Sequence, residues 1–390
     1  MMATTNGHSD VYHLLVSEGA DVSLADKNGR DCLMYACKAG NMSIVRHLLS
    51  LKTININRGD HDNMTPVMTA AEAGHSDVYH LLVSEGANVS LTNDKGRDCL
   101  MYACEGGNMS IVRHLLSLKT IDINRRDHNN MTPVMKAAEA GHSDVYHLLV
   151  SEGADVSLTD DMGRDCLMYA FEGSNMSIVR HLLSLKIINI NRRDHANMTP
   201  LMTAAKARHS YVYHLLVSEG ADVSLTDNMG RDCLMYACER GTMSIVRHLL
   251  SLKTININSR DHDNMTPVMS AAKAGNSDVY HLLVSEGADV SLADDKGRDC
   301  LMYACETDSM FAWTSRTSGK MCIVRHLLSL KTININRRDH DNMTPVMTAA
   351  KPDTQMFHFL CQRELICHFL YEKGRDCTMY ACERGNMSIV

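Results

Sequence analysis

Residues 65–74 read TPVMTAAEAG and residues 98–107 read DCLMYACEGG, and the two stretches align column by column. Each type returns every 67 residues, the first beginning at Thr65, Thr132, Thr199 and Thr266 and the second at Asp31, Asp98, Asp165, Asp232 and Asp299. Because the two types alternate, the basic period is 33 or 34 residues. A period of about 20 to 50 residues is typical of a solenoid, in which each unit packs mainly on its neighbours.

The first type of stretch carries the signals of two consecutive helices. Thr65 is a good N-cap, Pro66 suits the first helical position, and Gly74 can end the helix in a left-handed conformation. From residue 75 onward, apolar residues return at i, i+3 and i+4 until Gly86, which predicts a second, amphipathic helix. The unit is therefore predicted to be helix, turn, helix.

The second type repeats this plan with Asp31 as the cap and Cys32 in the place of proline. Short polar segments join the units, and each contains a glycine or an asparagine, the residues that best tolerate a positive φ. These residues are Gly29, Gly96, Gly163, Gly230 and Gly297, and Asn63, Asn130, Asn197, Asn264 and Asn342. Each connection is predicted to be a tight, hairpin-like turn.

Composition limits the classes of function. The 390 residues carry a formal net charge of −7, and no run of Lys and Arg is long enough to follow a phosphate backbone, so nucleic acid is not expected as a partner. No apolar stretch reaches the roughly 20 residues that a membrane helix requires, and the N-terminus lacks a signal pattern. Neither membrane insertion nor export is expected.

Most of the 14 cysteines recur with the repeat, so equivalent cysteines would lie about 20 Å apart in a stack of helices, beyond the reach of a disulfide. We therefore expect reduced thiols and an intracellular location, in the cytoplasm or the nucleus. Cys32 and Cys37 would point about 140° apart around a helix and would not share a zinc ion. No metal ion, cofactor or small-molecule ligand is predicted.

Catalysis is not predicted either, because every candidate Asp, His or Cys recurs with its unit and no single cluster emerges. The Asp-His pair that opens each first-type turn, as in Asp60 and His61, is interpreted as a solvated turn. No third, orienting partner is visible for it in the sequence.

The order Thr-Pro, Ala and Gly in the first helix, then V-x-x-L-L and then G-A-D, on a 33-residue period, resembles the ankyrin repeat. The resemblance covers nearly the whole chain. It implies an all-α solenoid of stacked helix-turn-helix units joined by β-hairpin-like turns. The histidine that usually follows Thr-Pro-Leu in this family is replaced by Met68, Met101 and Met135, so packing is expected to replace its hydrogen bonds.

We expect a single array of about ten repeats over residues 1–390, with a partial repeat in 1–29, regular repeats in 30–306 and 321–351, a loop insertion in 307–320, a degenerate repeat in 352–373 and a truncated one in 374–390. The irregular ends lack a polar capping repeat, which suggests a fragment or ends that something else covers. Ser174 and Arg208 stand where the glycine between helices is expected, at a cost of about 1 kcal/mol each in a left-handed turn.

The resemblance implies a non-enzymatic scaffold that binds protein partners through an extended concave face of turn tips and first helices. On the second-type helices this face would carry a tyrosine, a residue favoured at interfaces, flanked by arginines of the tips. The predicted partner-binding residues are Tyr35, Tyr102, Tyr169, Tyr236, Tyr303, Arg97, Arg126, Arg164, Arg193, Arg231 and Arg298. The alternative is that the tyrosines pack on neighbouring helices.

Because the units are nearly identical, this face is expected to offer the same chemistry every second repeat and to suit a repetitive ligand or avidity. Two other functions remain open. The repeats could be the substrate-recognition or adaptor part of a larger ankyrin-repeat signalling or ubiquitin-ligase protein. Alternatively, the repeats are themselves modified at positions similar to asparagines hydroxylated in ankyrin repeats, namely Asn57, Asn124, Asn191 and Asn258.

Overall fold

The computed structural model describes residues 8–118, 120–173, 175–252, 254–306, 315–330 and 332–349. In this part of the chain every regular element is an α-helix, apart from one isolated β-bridge between Ala293 and Asp299. Short first helices alternate with second helices that mostly have nine residues. The predicted all-α array of helix-turn-helix units is confirmed.

The chain divides into two compact units, residues 1–189 and 190–390. In the first unit the first helices are α2 (Cys32–Lys38), α4 (Pro66–Ala73), α6 (Cys99–Glu105), α8 (Pro133–Glu139) and α10 (Cys166–Glu172). Its second helices are α1 (Ser9–Ser17), α3 (Met42–Ser50), α5 (Ser76–Ser84), α7 (Met109–Ser117), α9 (Ser143–Ser151) and α11 (Met176–Ser184).

The second unit follows the same order. Its first helices are α12 (Pro200–Lys206), α14 (Cys233–Arg240), α16 (Pro267–Ala274), α18 (Cys300–Cys305) and α20 (Pro345–Ala349). Its second helices are α13 (Ser210–Ser218), α15 (Met243–Ser251), α17 (Ser277–Ser285) and α19 (Ser315–Ser329).

Within each unit the helices form two layers. A first helix packs on the first helices before and after it, as α4 does on α2 and α6, and the second helices α3, α5 and α7 form the other layer. The apolar core lies between the layers: Val78 and Leu82 are at most 1% exposed. Met68, Met101 and Met135 are fully buried, so methionine packing does occupy the position of the family's histidine.

The helix caps form as the sequence predicts. The carboxylate of Asp31 accepts a hydrogen bond from the amide of Met34 at 3.0 Å, and the same bond recurs at the later second-type helices. Thr65 caps α4 from its side chain, and Pro66 is the first helical residue. Gly74 ends that helix with a φ of 77°. Each such cap is worth about 1 kcal/mol.

The connections also agree with the prediction. All ten glycines and asparagines that were expected to adopt a positive φ do so. Arg208 has a φ of 65°, so it takes the left-handed conformation without being glycine, whereas Ser174 lies outside the described residues. Neighbouring turns are therefore tight enough to stack on one another.

The predicted boundaries after residue 306 are described only in part. Residues 307–314, with Trp313, and residues 350–390 lie outside the described residues. Helix α19 begins at Ser315, so residues 315–320 of the predicted loop insertion are helical. The extension contains no proline, so backbone amides can continue the helical hydrogen bonds. The Nζ of Lys320 donates to the carbonyl of Glu306, which fixes this extra turn beside the end of α18.

Candidate protein-interaction face

The turns that precede the first helices form a row of tips within each unit. The backbone amide of His61 donates to the carbonyl of Asn28 at 2.9 Å, and the amide of Asp94 donates to the carbonyl of Asp62 at 2.9 Å. In the second unit the same bonds run from His262 to Met229 and from Asp295 to Asp263. We call these tips, together with the exposed edges of the first helices, the front face.

An aspartate, or Asn93 in one tip, stabilises each tip from inside. The Oδ1 of Asp60 accepts the amides of Asp62 and Met64 at 3.0 and 2.9 Å, and Asp60 is only 6% exposed. His61 is exposed. The interpretation of the Asp-His pair as a solvated turn is therefore correct for the histidine and wrong for the aspartate, because two amides hold the carboxylate in the turn.

The tyrosines of the front face are mostly buried. Tyr169, Tyr236 and Tyr303 are 1% exposed and Tyr102 is 6% exposed, while Tyr35 is partly exposed. Except at Tyr102, their hydroxyls donate to the aspartate nine residues earlier, as Tyr236 does to Asp227 at 2.6 Å. They do not form an exposed ladder, because the ring packs between first helices and the hydroxyl is satisfied inside the tip. Partner binding by these tyrosines stays a prediction.

Arginines cover the buried rings. The guanidinium carbons of Arg164, Arg231 and Arg298 lie 4.6 to 4.7 Å from the centroids of the tyrosine rings five residues later. Each also pairs with the aspartate four residues earlier at 2.9 to 3.0 Å. Their side chains remain 26 to 35% exposed, so a partner can reach the arginine but not the ring beneath it.

Arg30 and Arg97 take a different partner. The Nε of Arg30 lies 3.0 Å from the Oδ2 of Asp60, and that of Arg97 lies 3.2 Å from the Oδ2 of Asp127, in both cases on the following tip. At Arg97 the aspartate of its own tip is replaced by Asn93, which donates to the hydroxyl of Tyr102 at 2.8 Å. In nearly identical repeats, the equivalent arginine therefore pairs either with the aspartate of its own tip or with the aspartate of the following tip.

The charges of this network change the pKa values of its members. Burial raises the pKa of Tyr169, and its hydrogen bond to Asp160 raises it further. Burial alone would raise the pKa of Asp227, but hydrogen bonds from Tyr236 and from the Arg231 amide outweigh burial and lower it. The pKa of Asp261 is raised by burial, and within the described residues no cationic side chain forms an ion pair with it.

Arg126 and Arg193 also belong to the predicted set, and both are exposed at the start of a tip. The positive charge of Arg126 favours the ionised form of Asp155, and that of Arg193 favours the ionised form of Asp222.

The asparagines of the alternative in which the repeats are modified lie close to these arginines. Asn124 accepts the amide of Asp155 at 2.8 Å, and Asn191 accepts that of Asp222 at 2.8 Å. These side chains tie each loop to the next repeat.

Two recurrent groups were missed by the sequence analysis. The first is the aspartate that receives the tyrosine hydroxyl; its signal is Asp, Arg four residues later and Tyr five residues after that, as in Asp160, Arg164 and Tyr169. The second is on the second helices, where the hydroxyl of Tyr79 lies 3.1 Å from the Nδ1 of His114. Its signal is a Tyr-His pair followed by a histidine 35 residues after the tyrosine.

The second-helix groups each contain two histidines in edge-to-face contact. The ring centroids lie 4.7 to 5.0 Å apart in the pairs His13–His47, His80–His114, His147–His181, His214–His248 and His281–His326. Burial and the neighbouring histidine together lower the pKa of His114, His181, His248 and His326. In each unit the layer of second helices therefore carries a regular series of histidine pairs.

The described residues contain no group of three His, Cys, Asp or Glu side chains arranged to hold a metal ion. None of the ten described cysteines forms a disulfide, and all but Cys322 are buried. Burial raises the pKa of Cys37 and of Cys99, so these thiols remain protonated. Among the described helices, none combines the length and the apolar character needed to cross a membrane.

Comparison with known proteins agrees with this architecture. Residues 1–93, 78–160, 152–227, 204–294 and 234–312 match the family described as ankyrin repeats in three copies. The chain belongs to the ankyrin repeat family.

The relatives are matched over very different shares of their own length. The B-cell lymphoma 3 protein homolog of Mus musculus is 29% identical over 58% of this chain and 53% of its own length. The E3 ubiquitin-protein ligase KEG of Arabidopsis thaliana is 25% identical over 79% of this chain and 19% of its own. The putative ankyrin repeat protein YahD of Escherichia coli is 25% identical over 47% of this chain and 94% of its own. The chain thus spans about half of the first relative and a fifth of the second.

Proposed function

We propose that the chain is a non-enzymatic protein-interaction module that binds protein partners through its front face. The observation that carries this proposal is the row of tips in each unit, joined by backbone hydrogen bonds and holding arginines and acids at fixed positions. A surface that is already ordered loses little conformational entropy when a partner binds. Ankyrin repeats are typically interaction modules, which supports the same function.

In this proposal the contact residues are arginines of the tips, namely Arg97, Arg126, Arg164, Arg193, Arg231 and Arg298. The tyrosines Tyr35, Tyr102, Tyr169, Tyr236 and Tyr303 stay in the proposed set, with Tyr35 as the one partly exposed ring. Tyr169, Tyr236 and Tyr303 lie beneath the guanidinium groups of Arg164, Arg231 and Arg298. We place the protein in the cytoplasm, since the described cysteines form no disulfide, which fits a reducing compartment.

A second function is an adaptor role within a larger protein. It is favoured by one observation, the small share of the relatives' lengths that the chain spans, which is a fifth in the ubiquitin ligase KEG. In that case the front face selects the substrate, and another part of the longer protein acts on it.

The proposal is tested by affinity purification and quantitative mass spectrometry of two double variants. Arg126→Glu with Arg193→Glu reverses two exposed charges of the tips. The control, Arg113→Glu with Arg247→Glu, makes the same change on the exposed side of two second helices. We expect the front-face variant to lose at least tenfold of the captured partners and the control to keep them. Equal capture by both variants, or no capture above a tag control by the wild type, would contradict the proposal.

A further inference from the structure

One position of the front face has very different amounts of space in two of the repeats. Beside Arg30 and Asp60 the cavity has a volume of about 30 Å³. Beside Arg231 and Asp261, at the same place of the repeat 201 residues later, it has a volume of about 390 Å³. The second value falls within the range of about 300 to 1,000 Å³ that is usual for ligand pockets.

The small cavity is small because the chain fills it with its own arginine. The side chain of Arg30 lies across it, with Nε 3.0 Å from the Oδ2 of Asp60. Arg97 makes the same contact with Asp127 at 3.2 Å. This position of the repeat therefore accepts a guanidinium group twice within the molecule, against a carboxylate that is 2% exposed in both cases.

The large cavity is open because its arginine turns the other way. Arg231 donates from Nε and Nη2 to the Oδ2 of Asp227, at 3.1 and 2.9 Å, and lies over the ring of Tyr236. Glu239 adds to the attraction that holds it there. In the first repeat the residue at the Glu239 position is Lys38, which repels a guanidinium and favours the contact with Asp60.

Negative charge then faces the open cavity. The Oδ1 of Asp261 accepts the amides of Asp263 and Met265 at 3.0 and 2.8 Å, and its Oδ2 has no hydrogen-bond or ion-pair partner among the described residues. Asp263 and Glu239 also line the cavity. The two cationic side chains that line the cavity both have other partners. Arg231 pairs with Asp227, and the Nζ of Lys273 lies 5.6 Å from the centroid of the Tyr303 ring.

We propose that this cavity receives an arginine side chain of a protein partner, whose guanidinium pairs with Asp261 as Arg30 pairs with Asp60. The inference rests on the proposed function and names the chemistry that one part of the front face recognises. Arginine fits better than lysine because its planar fork matches a carboxylate and its stem can pack on the thioethers of Met229 and Met265, which line the walls.

The probe for this pocket is N-acetyl-L-arginine methylamide, titrated into the full chain labelled with ¹³C at the methionine methyl groups. The signals of Met229 and Met265 are assigned with Met229→Leu and Met265→Leu. We expect both signals to shift saturably with the arginine probe and to stay unchanged with the citrulline analogue, which has the same shape and no charge. Equal shifts with the two probes would overturn the proposal.

Three variants test the role of Asp261. Asp261→Asn keeps the Oδ1 that accepts the turn amides and should weaken the arginine probe about tenfold or more. Asp227→Asn reproduces the environment of Arg97, whose own tip carries Asn93, so Arg231 should swing to Asp261 and also weaken the probe about tenfold. Asp60→Asn, in the closed cavity, should leave the affinity for the arginine probe unchanged.

Circular dichroism checks that each variant folds. If Asp261→Asn and Asp227→Asn both fold and both bind the arginine probe with unaltered affinity, the proposal is refuted.

The two proposals can fail separately. If the wild-type chain captures partners through the front face and Asp261→Asn captures every one of them equally well, the arginine pocket is wrong and the interaction function stands. If the arginine probe binds at Asp261 and the chain captures no protein, the pocket stands and the interaction function is wrong.

Discussion

The histidine pairs of the second helices predict a loss of stability in mild acid. The pKa values of His114, His181, His248 and His326 are lowered in the folded state, by burial and by the neighbouring histidine, from an ordinary value of 6.5. The unfolded chain therefore binds protons first as the pH falls below about 6.5. The free energy of unfolding is unaffected by these groups above that pH and decreases as the pH falls through the folded-state pKa values.

The separation of the rings sets the magnitude. Two unit charges about 4.9 Å apart repel by about 0.8 kcal/mol in a medium as polar as water, which is the suitable lower limit for partly exposed rings. Four pairs with lowered pKa values would then cost about 3 kcal/mol when both members of each are protonated. Tyrosine and serine hydroxyls face the rings, as Tyr79 and Ser110 do at His114 and His80, and no described carboxylate pairs with them.

The test is a variant that leaves one histidine in each of these four pairs, with His80, His147, His214 and His281 replaced by Gln. Urea unfolding of wild type and variant is measured at pH 7.5 and pH 5.0 by circular dichroism. All other titrating groups are shared, so they cancel in the comparison. We expect the wild type to lose about 3 kcal/mol more than the variant between the two pH values. An equal loss in both proteins would show that the pairs do not repel in the folded state.

Three further predictions concern single positions. Arg208→Gly should raise the free energy of unfolding by about 1 kcal/mol, measured by urea denaturation, because Arg208 holds a φ of 65°. Tyr169→Phe should lower it by about 1 to 2 kcal/mol, through loss of the 2.6 Å hydrogen bond to Asp160, with circular dichroism spectra unchanged. Asn93→Asp should return Arg97 to its own tip and create an additional binding site for the arginine probe, detected as an increased stoichiometry; unchanged stoichiometry would contradict this.

The fold could be predicted from the sequence because its determinants are local and repeated. Thr65 and Asp31 cap helices through their own side chains, and a positive φ at Asn63 or Gly29 depends on that residue and its turn. Each of these residues lies within a few positions of the helix end or turn that it determines, and the same residues recur in each unit. Even the departure at Arg208 could be located, since the register of the repeat shows which residue must be left-handed.

The candidate site could be predicted only in outline. Tyr236 is buried because the first helices approach each other closely. A local sequence pattern does not specify the distance between helices. The hydroxyl of Tyr236 and the guanidinium of Arg231 meet on one carboxylate, Asp227, so the face presents arginine rather than tyrosine. The Asp-Arg-Tyr spacing was available in the sequence, but its meaning required the three-dimensional arrangement of the tip.

Near identity of the units does not make the front face uniform, contrary to the expectation that the same chemistry returns every second repeat. Where Asn93 replaces aspartate, the arginine of that tip crosses to the next one, and where Lys38 stands in place of Glu239, another arginine crosses as well. Each crossing consumes a carboxylate that stays available beside Arg231. Because a charge change at one position decides whether a neighbouring carboxylate is paired or open, few substitutions are enough to give a repetitive solenoid distinct binding positions. Selectivity along this face then depends less on which residues are exposed than on which ion pairs the repeat forms with itself.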